Sequence, residues 1–214
     1  MRRQRGMTLI SMMVGLVISM FSIVAMLSLY RSLVHSAVVA TRDANLDGQI
    51  AAGLLSAQLE IQSAGFGIES AGNADLTLAT TNLDSSTHAL LWRLVDTSSY
   101  RCRGLLERSV NDSATGQSMR VLSLLQADSC DASGSLSGKS WAVVGDLAEF
   151  RGQNAAQVTF EIDSSDCWPF GVGDSTTTSS HALVRLSAPS SSQLAGAAAD
   201  PISYSICLPN IKPV

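Results

Sequence analysis

The stretch from Met7 to Tyr30 contains no charged side chain, and this feature most constrains how the chain can fold. As an α-helix rising about 1.5 Å per residue, it would be roughly 36 Å long, which exceeds a hydrocarbon core of about 30 Å. An ordinary secretory signal has a shorter apolar core of about 7–15 residues, followed by a small-residue cleavage site. The length of the run therefore favours a membrane-spanning helix.

The charges outside this run set an orientation and exclude one function. Three arginines, Arg2, Arg3 and Arg5, precede the apolar residues, and basic residues stay on the cytoplasmic side of a membrane. The rest of the chain is therefore expected on the opposite face, which in a bacterium is the periplasm. The whole chain has 14 basic and 18 acidic side chains and a formal charge of −4. This acidic balance argues against a nucleic-acid-binding protein, because phosphate contacts need clustered Lys and Arg.

The junction between the arginines and the apolar run carries a recognisable motif. The residues Arg-Gly-Met-Thr-Leu-Ile-Ser from Arg5 to Ser11 resemble the class III signal of type IV prepilins. The resemblance implies that prepilin peptidase cuts between Gly6 and Met7 on the cytoplasmic face and methylates the new amino group of Met7. Four parts of the chain are then expected. Residues 1–6 are a basic leader, and residues 7–30 are the membrane half of a long helix. Residues 31–64 are the amphipathic half of the same helix, and residues 65–214 are a globular β-rich domain.

One position departs from the family pattern. The fifth residue of the mature chain is normally Glu, and here it is Ser11. In the family that carboxylate neutralises the terminal amine of a neighbouring subunit, and an unpaired charge in lipid costs several kcal/mol. A serine cannot supply the countercharge, so the resemblance implies a minor pilin in a priming or tip complex. The expected partners are prepilin peptidase, other minor pilins, the major pilin, the inner-membrane assembly platform and a tip adhesin.

Two other functions stay open at this point. A minor pseudopilin of a type II secretion system would share the leader and the fold. A periplasmic enzyme or sensor held by an uncleaved anchor belongs to a different class. No cofactor or catalytic motif is identified, so binding is preferred to catalysis.

Beyond Arg31 the chain predicts that the helix continues with one apolar stripe. The stripe recurs every three or four residues and consists of Val39, Leu46, Ile50, Leu54, Ala57 and Ile61. The predicted helix runs from Thr8 to near Ser63, and glycines in the segment 64–67 then end it. The Ala-Gly-Phe sequence that starts at Ala64 also resembles the PilW family of minor pilins.

The remainder predicts an antiparallel sheet with one face on a core, because several short apolar runs alternate with polar residues. The predicted strands are Ala89–Val95, Met119–Leu125, Trp141–Val144, Val158–Ile162, Ala182–Leu186 and Ile202–Leu208. Predicted loops are Gly134–Gly138, Gly171–Ser180 and Pro189–Asp200. With the long helix this gives an α+β class and a type IV pilin fold.

Four cysteines lie on the side expected to be exported, where disulfides form. They allow three pairings. We favour Cys102 with Cys130 and Cys167 with Cys207, the nearest pairing, and the second bond would resemble the C-terminal disulfide loop of pilins. Zinc is less favoured, since there is no Cys-x-x-Cys pair and histidine is scarce.

Several partial motifs are interpreted as structural. The segment from Asp43 to Ile50 starts like an EF-hand loop, but Leu54 occupies the place of the required bidentate Glu. The segment from Gly134 to Ser140 is one residue short of a P-loop and precedes a predicted strand. His88 and His181 lack a nucleophile elbow, and the carboxylates Asp163 and Asp166 are interpreted as loop residues.

Overall fold

The computed structural model describes residues 9–112, 116–151, 157–167, 180–194, 196 and 198–212. In chain order the described elements are α1 (Leu9–Ile61), β1 (Leu76–Ala79), β2 (Ala89–Asp96), β3 (Ser99–Asn111), β4 (Ser118–Ala127), β5 (Trp141–Arg151), β6 (Thr159–Ser165), β7 (His181–Ala188), α2 (Ser191–Leu194) and β8 (Ile202–Leu208). Single 3₁₀ turns occur at Asn73–Asp75 and Leu136–Gly138. The chain forms two compact units, divided between Asn45 and Leu46, and α1 contributes residues to both.

In the described part of the second unit, eight antiparallel strands form two sheets. Strands β1 to β5 follow one another as a meander, each hydrogen-bonded to the next in sequence, and β6 to β8 form a second meander of three strands. Antiparallel neighbours in sequence need only short connections. One of these connections is tight: β2 and β3 are joined through the two residues Thr97 and Ser98, both with positive φ.

The main core lies where the last turns of α1 meet both sheets. Four apolar positions of the predicted helical stripe are fully buried there: Ile50, Leu54, Ala57 and Ile61. A second, smaller cluster lies on the other face of the five-stranded sheet, around Trp141, Leu136 and the Cys102 side chain. The sheet is therefore apolar on both faces over part of its length, which explains the continuous burial from Ala89 to Leu94.

The end of α1 is tied to the edge of β2. Gly65 has a φ of 73°, a conformation that glycine adopts without steric cost. Its N–H donates to the Arg93 carbonyl over 2.8 Å, and the Val95 N–H donates to the Phe66 carbonyl over 2.8 Å. A Cβ on Gly65 would lie 2.7 Å from the Ile211 side chain. The glycine therefore serves both the turn and the close packing of the C-terminal segment.

The structure confirms the α+β class and the long N-terminal helix, with several corrections. The helix ends at Ile61 instead of near Ser63, and Thr8 lies outside the described residues. Val39, the first member of the predicted stripe, is exposed, because contact with the core begins at Leu46. The predicted single sheet is two sheets, and β5 continues to Arg151, well beyond the predicted end at Val144.

Two strands were not predicted. β1 is only four residues long. β3 carries three arginines and a glutamate, which obscure the alternation of apolar and polar residues along the strand. The predicted loop at Pro189–Asp200 contains the short helix α2, the loop at Gly134–Gly138 contains a 3₁₀ turn, and all but Ser180 of the loop at Gly171–Ser180 lie outside the described residues. Asp163, interpreted from the sequence as a loop residue, lies in β6.

One glycine sets the distance between α1 and the five-stranded sheet. A Cβ built on Gly53 would lie 2.6 Å from the Ala148 Cβ and 2.8 Å from the Leu147 carbonyl oxygen. Such contacts are shorter than van der Waals distance, so any side chain at this position forces the helix and β5 apart. Gly48, in the same helix, has no neighbour within 4 Å of a built Cβ.

Substitution of these two glycines should therefore have opposite effects. Gly53→Ala is expected to lower the free energy of unfolding by about 1–3 kcal/mol through overpacking. Gly48→Ala should raise it by up to about 1 kcal/mol, because alanine is the better helix former. Urea unfolding of the two full-length variants in detergent would measure both, and equal effects would show that helix–sheet contact at Gly53 is not tight.

Candidate functional site

The first part of α1 presents an apolar surface on every side. It is the one helix among the described residues that is long and apolar enough to cross a membrane, and none of its most apolar 18-residue window is buried. All large hydrophobic side chains from Leu9 to Tyr30 are exposed. A helix that is apolar all round is typical of a buried or membrane-spanning element. This surface is the candidate functional site of the first unit.

Two serine side chains within this part of α1 bond back to their own helix. The hydroxyl of Ser19 donates to the Leu16 carbonyl over 2.8 Å, and that of Ser22 donates to the Ile18 carbonyl over 2.9 Å. Hydroxyl groups bonded in this way need no partner from the surroundings. They are therefore compatible with a hydrocarbon environment, in which an unpaired polar group is costly.

The sequence analysis singled out three residues for processing and assembly. Gly6 and Met7 fall outside the described residues, whereas Ser11 lies in the first described turns of α1 with an exposed side chain. The first charged residue of the described helix is Arg31. Between Leu9 and Arg31 the helix thus presents no ionisable group except the phenol of Tyr30.

In the second unit α1 has an inner and an outer face. The inner face packs on the sheets, as described above. The outer face still carries the large apolar side chains Leu55 and Leu59, which are 48% and 63% exposed. They are four residues apart, so they lie on one side of the helix. Glu60, at the end of α1, is paired with Arg103 of β3 at 2.9 Å. The outer face between Gly48 and Leu59 carries no charge.

All four cysteines are paired. Cys102 is bonded to Cys130 and Cys167 to Cys207, with Cα–Cα distances of 5.5 and 5.8 Å. This is the pairing that the sequence analysis favours. The first bond holds the loop after β4 against the second apolar cluster, and the second joins the segment after β6 to β8.

A buried charge network that sequence reasoning missed joins the two sheets. Glu107 of β3 and Arg120 of β4 are both buried, and the Arg120 Nε donates to Glu107 Oε1 over 3.2 Å. The carboxylate of Glu107 also accepts hydrogen bonds from the N–H groups of Gln157 and Val158, just before β6. A carboxylate bonded to one cation and two amides is fully compensated for its burial. Glu107 therefore connects the five-stranded sheet to the chain that starts the three-stranded one.

Asp84 extends this network toward solvent. Its Oδ2 lies 4.0 Å from the Arg120 Nη1. Burial alone would raise the pKa of Asp84, but hydrogen bonds from Ser86 and Thr87 and the charge of Arg120 outweigh burial and hold that pKa below its usual value. Asp84 is thus ionised at neutral pH and adds a second negative charge beside Arg120.

A second buried arginine holds the loop that resembled a phosphate-binding motif. The guanidinium of Arg93 donates to Asp75 over 2.7 Å and to the carbonyl of Gly134 over 2.6 Å. Leu136 of the same loop is buried, and its carbonyl accepts the indole N–H of Trp141 over 3.2 Å. The loop is therefore a cover for the second apolar cluster.

The other partial motifs also have structural positions. The EF-hand-like segment lies entirely within α1, and Asp47 accepts hydrogen bonds from the N–H and hydroxyl of Ser191 over 2.6 and 2.8 Å. His88 precedes β2 in one sheet, whereas His181 starts β7 in the other. Among the described residues no group of three His, Cys, Asp or Glu side chains could hold a metal ion.

Comparison with known proteins gave one match. A family model described as a prokaryotic N-terminal methylation motif matches residues 1–27. The chain matched no curated protein and no solved structure. The matched residues include the predicted leader and the first part of α1. It indicates a type IV pilin-like or pseudopilin protein, implies processing by prepilin peptidase, and points to a structural, membrane-anchored protein.

The Glu107 network yields a prediction with a matched control. Glu107→Gln should lower the free energy of unfolding by about 3–5 kcal/mol, because it removes the carboxylate that is hydrogen-bonded to the buried Arg120 and to the Gln157 and Val158 amides. Glu161 is also paired with an arginine, Arg185 at 3.1 Å, but both side chains are well exposed. Glu161→Gln should therefore cost less than about 1 kcal/mol. Urea titrations in detergent would measure both, and a cost below 1 kcal/mol for Glu107→Gln would contradict the assigned role.

Proposed function

We propose that this chain is a minor pilin that takes part in type IV pilus assembly. Prepilin peptidase cleaves it after Gly6, residues Met7 to Tyr30 hold it in the inner membrane, and it then enters the pilus as part of a priming or tip complex. The observation that carries the proposal is that the methylation motif coincides with the apolar first part of α1, whose large side chains from Leu9 to Tyr30 are all exposed.

The exposed apolar helix supports assembly by lateral packing. Within a membrane lipid would cover these side chains, and in a filament the helices of neighbouring subunits would replace it. The uncharged outer face with Leu55 and Leu59 supports the same idea, because it leaves apolar surface available where the helix is already covered by the sheets on its inner side. The globular domain would then select its neighbours by shape and polar contacts.

Cleavage also changes the electrostatics of the chain. Loss of Arg2, Arg3 and Arg5 leaves 11 basic and 18 acidic side chains, so the formal charge would change from −4 to −7. The basic residues that anchor the leader on the cytoplasmic side would be removed at the step that releases the subunit for assembly. The remainder of the chain would lie in the periplasm.

The serine at position 11 supports a place at the start of the filament. Without a carboxylate, Ser11 cannot neutralise the terminal amine of a neighbouring subunit within the apolar filament core. A subunit that is used once, in a priming complex with other minor pilins and a tip adhesin, does not repeat this missing negative charge at every position along the shaft. The narrower assignment to the PilW family rests on the residues Ala64 to Phe66. A pseudopilin of a type II secretion system is the alternative that shares these features.

Processing can be tested by the intact mass of the protein. Chain made with prepilin peptidase should lack residues 1–6 and carry a methyl group on Met7, and Gly6→Val should abolish both changes. Gly15→Val is the matched control, since Gly15 lies within the apolar helix with no neighbour near it, and it should be processed normally. An unmodified mass in the presence of the peptidase would overturn the proposal and favour a signal-anchored protein.

The role of Ser11 yields a separate prediction. Ser11→Glu should leave processing intact and move the protein from the pilus tip into the shaft, because it restores the charge that neutralises a terminal amine. Ser11→Gln, which adds length without charge, should remain at the tip. Immunogold labelling of pili would distinguish the positions. Labelling of the unmodified protein along whole pili would contradict the tip assignment.

A further inference from the structure

The first half of β5 forms an open edge of the five-stranded sheet. β5 is the last strand in the sheet order, and among the described residues it pairs only with β4. Three consecutive apolar residues of this half, Ala142 to Val144, are exposed. Val143 is 36% and Val144 is 56% exposed. Exposed apolar residues on an edge strand are a template for pairing with another chain.

The side chain of Asn82 shows in which direction the main chain of this edge points. Its amide donates to the Trp141 carbonyl over 3.2 Å and accepts the Trp141 N–H over 2.8 Å. Both main-chain groups of Trp141 therefore face away from β4. Main-chain groups alternate in direction along a strand, so those of Val143 point to the same open side. Asn82 thus makes at Trp141 the pair of bonds that a further strand would make at Val143.

A β-bulge directs Val144 outward. Leu124 of β4 is opposite Gly145, and the next residue, Leu125, is opposite Val143. Val144 is therefore the extra residue, without a partner in β4. Bulges at sheet edges often re-aim a side chain, and the exposure of Val144 agrees with this.

The second half of the same edge is protected, whereas the first half is not. Gly53 of α1 lies against the Leu147 carbonyl and Ala148, so the helix covers this part of β5. Asp146 adds a charge there, bonded to the hydroxyl of Ser123 over 2.6 Å. Natural sheet edges are usually protected by Lys, Pro, inward charges or a covering element. The segment from Ala142 to Gly145 contains no charged residue and no proline.

We propose that the edge from Ala142 to Gly145 pairs with a short, uncharged strand from the globular domain of another filament subunit. The open main-chain groups require an extended partner segment. The absence of charge and the exposed valines require apolar residues on that segment, because a charged strand would bury its charge unpaired. Four residues span about 13 Å. The partner strand must be short, because α1 prevents it from extending along β5 past Leu147. The inference rests on the proposed function, which brings globular domains of different subunits together.

The test measures recovery of the full-length chain in sheared pili. Val144→Lys should lower recovery more than about tenfold, since burial of an unpaired ammonium costs several kcal/mol. Val144→Thr keeps the branched shape and the main chain and should be recovered normally. Tyr100→Lys is the matched control: Tyr100 is 36% exposed, pairs with Val95 of β2 and lies on β3, two strands away from the β5 edge. It should not lower recovery, and all variants should show the melting temperature of the unchanged protein in detergent.

Amide hydrogen exchange separates strand addition from simple side-chain contact. The peptide 141–146 should exchange at least about tenfold more slowly in sheared pili than in the detergent-solubilised subunit, because strand pairing protects main-chain amides. Normal recovery of Val144→Lys, or unchanged exchange of this peptide, would overturn the inference and leave the pilin proposal intact. Absence of the unchanged protein from sheared pili would overturn both.

Discussion

The apolar surface of α1 from Leu9 to Tyr30 has no cover within the described chain, and this constraint governs the rest of the structure. Every large side chain in this stretch is exposed, and no charge interrupts it. Water is an unfavourable environment for such a surface. The helix must therefore be covered by lipid or by other apolar helices. The methylation motif at its start indicates a type IV pilin-like or pseudopilin protein.

The second unit covers one side of the last turns of α1, whereas the first half of the helix stays apolar on every side. Ile50, Leu54, Ala57 and Ile61 bury one side of the helix against both sheets, and Gly53 lets β5 approach closely. Two disulfides and the Glu107 network join the sheets and loops of this unit. Its described core therefore contains no side chain of the apolar stretch. A domain built in this way can remain intact while lipid around the first half of the helix is exchanged for protein.

The sequence predicted the helix and the apolar strands well, because both leave a periodic pattern. The bounds of β8, Ile202–Leu208, were predicted correctly, and four members of the helical stripe are buried. β3 was missed because Arg101, Arg103 and Glu107 interrupt the alternation of apolar and polar residues along it. Of these three, Glu107 is buried, and its burial depends on partners distant in the sequence. The role of Gly53 was also missed, because no local pattern reveals its close contact with Leu147 and Ala148. The methylation motif was predicted from seven adjacent residues, since its chemistry is local.

The central claim is that α1 exchanges lipid for the helices of other subunits. A photo-crosslinking amino acid in place of Phe21, an exposed residue within the apolar stretch, would test this directly in cells with and without the inner-membrane assembly platform. We predict crosslinks to lipid without the platform, and crosslinks to the apolar helix of another pilin-like subunit when the platform is present. Crosslinks to lipid alone in both cells would contradict the account.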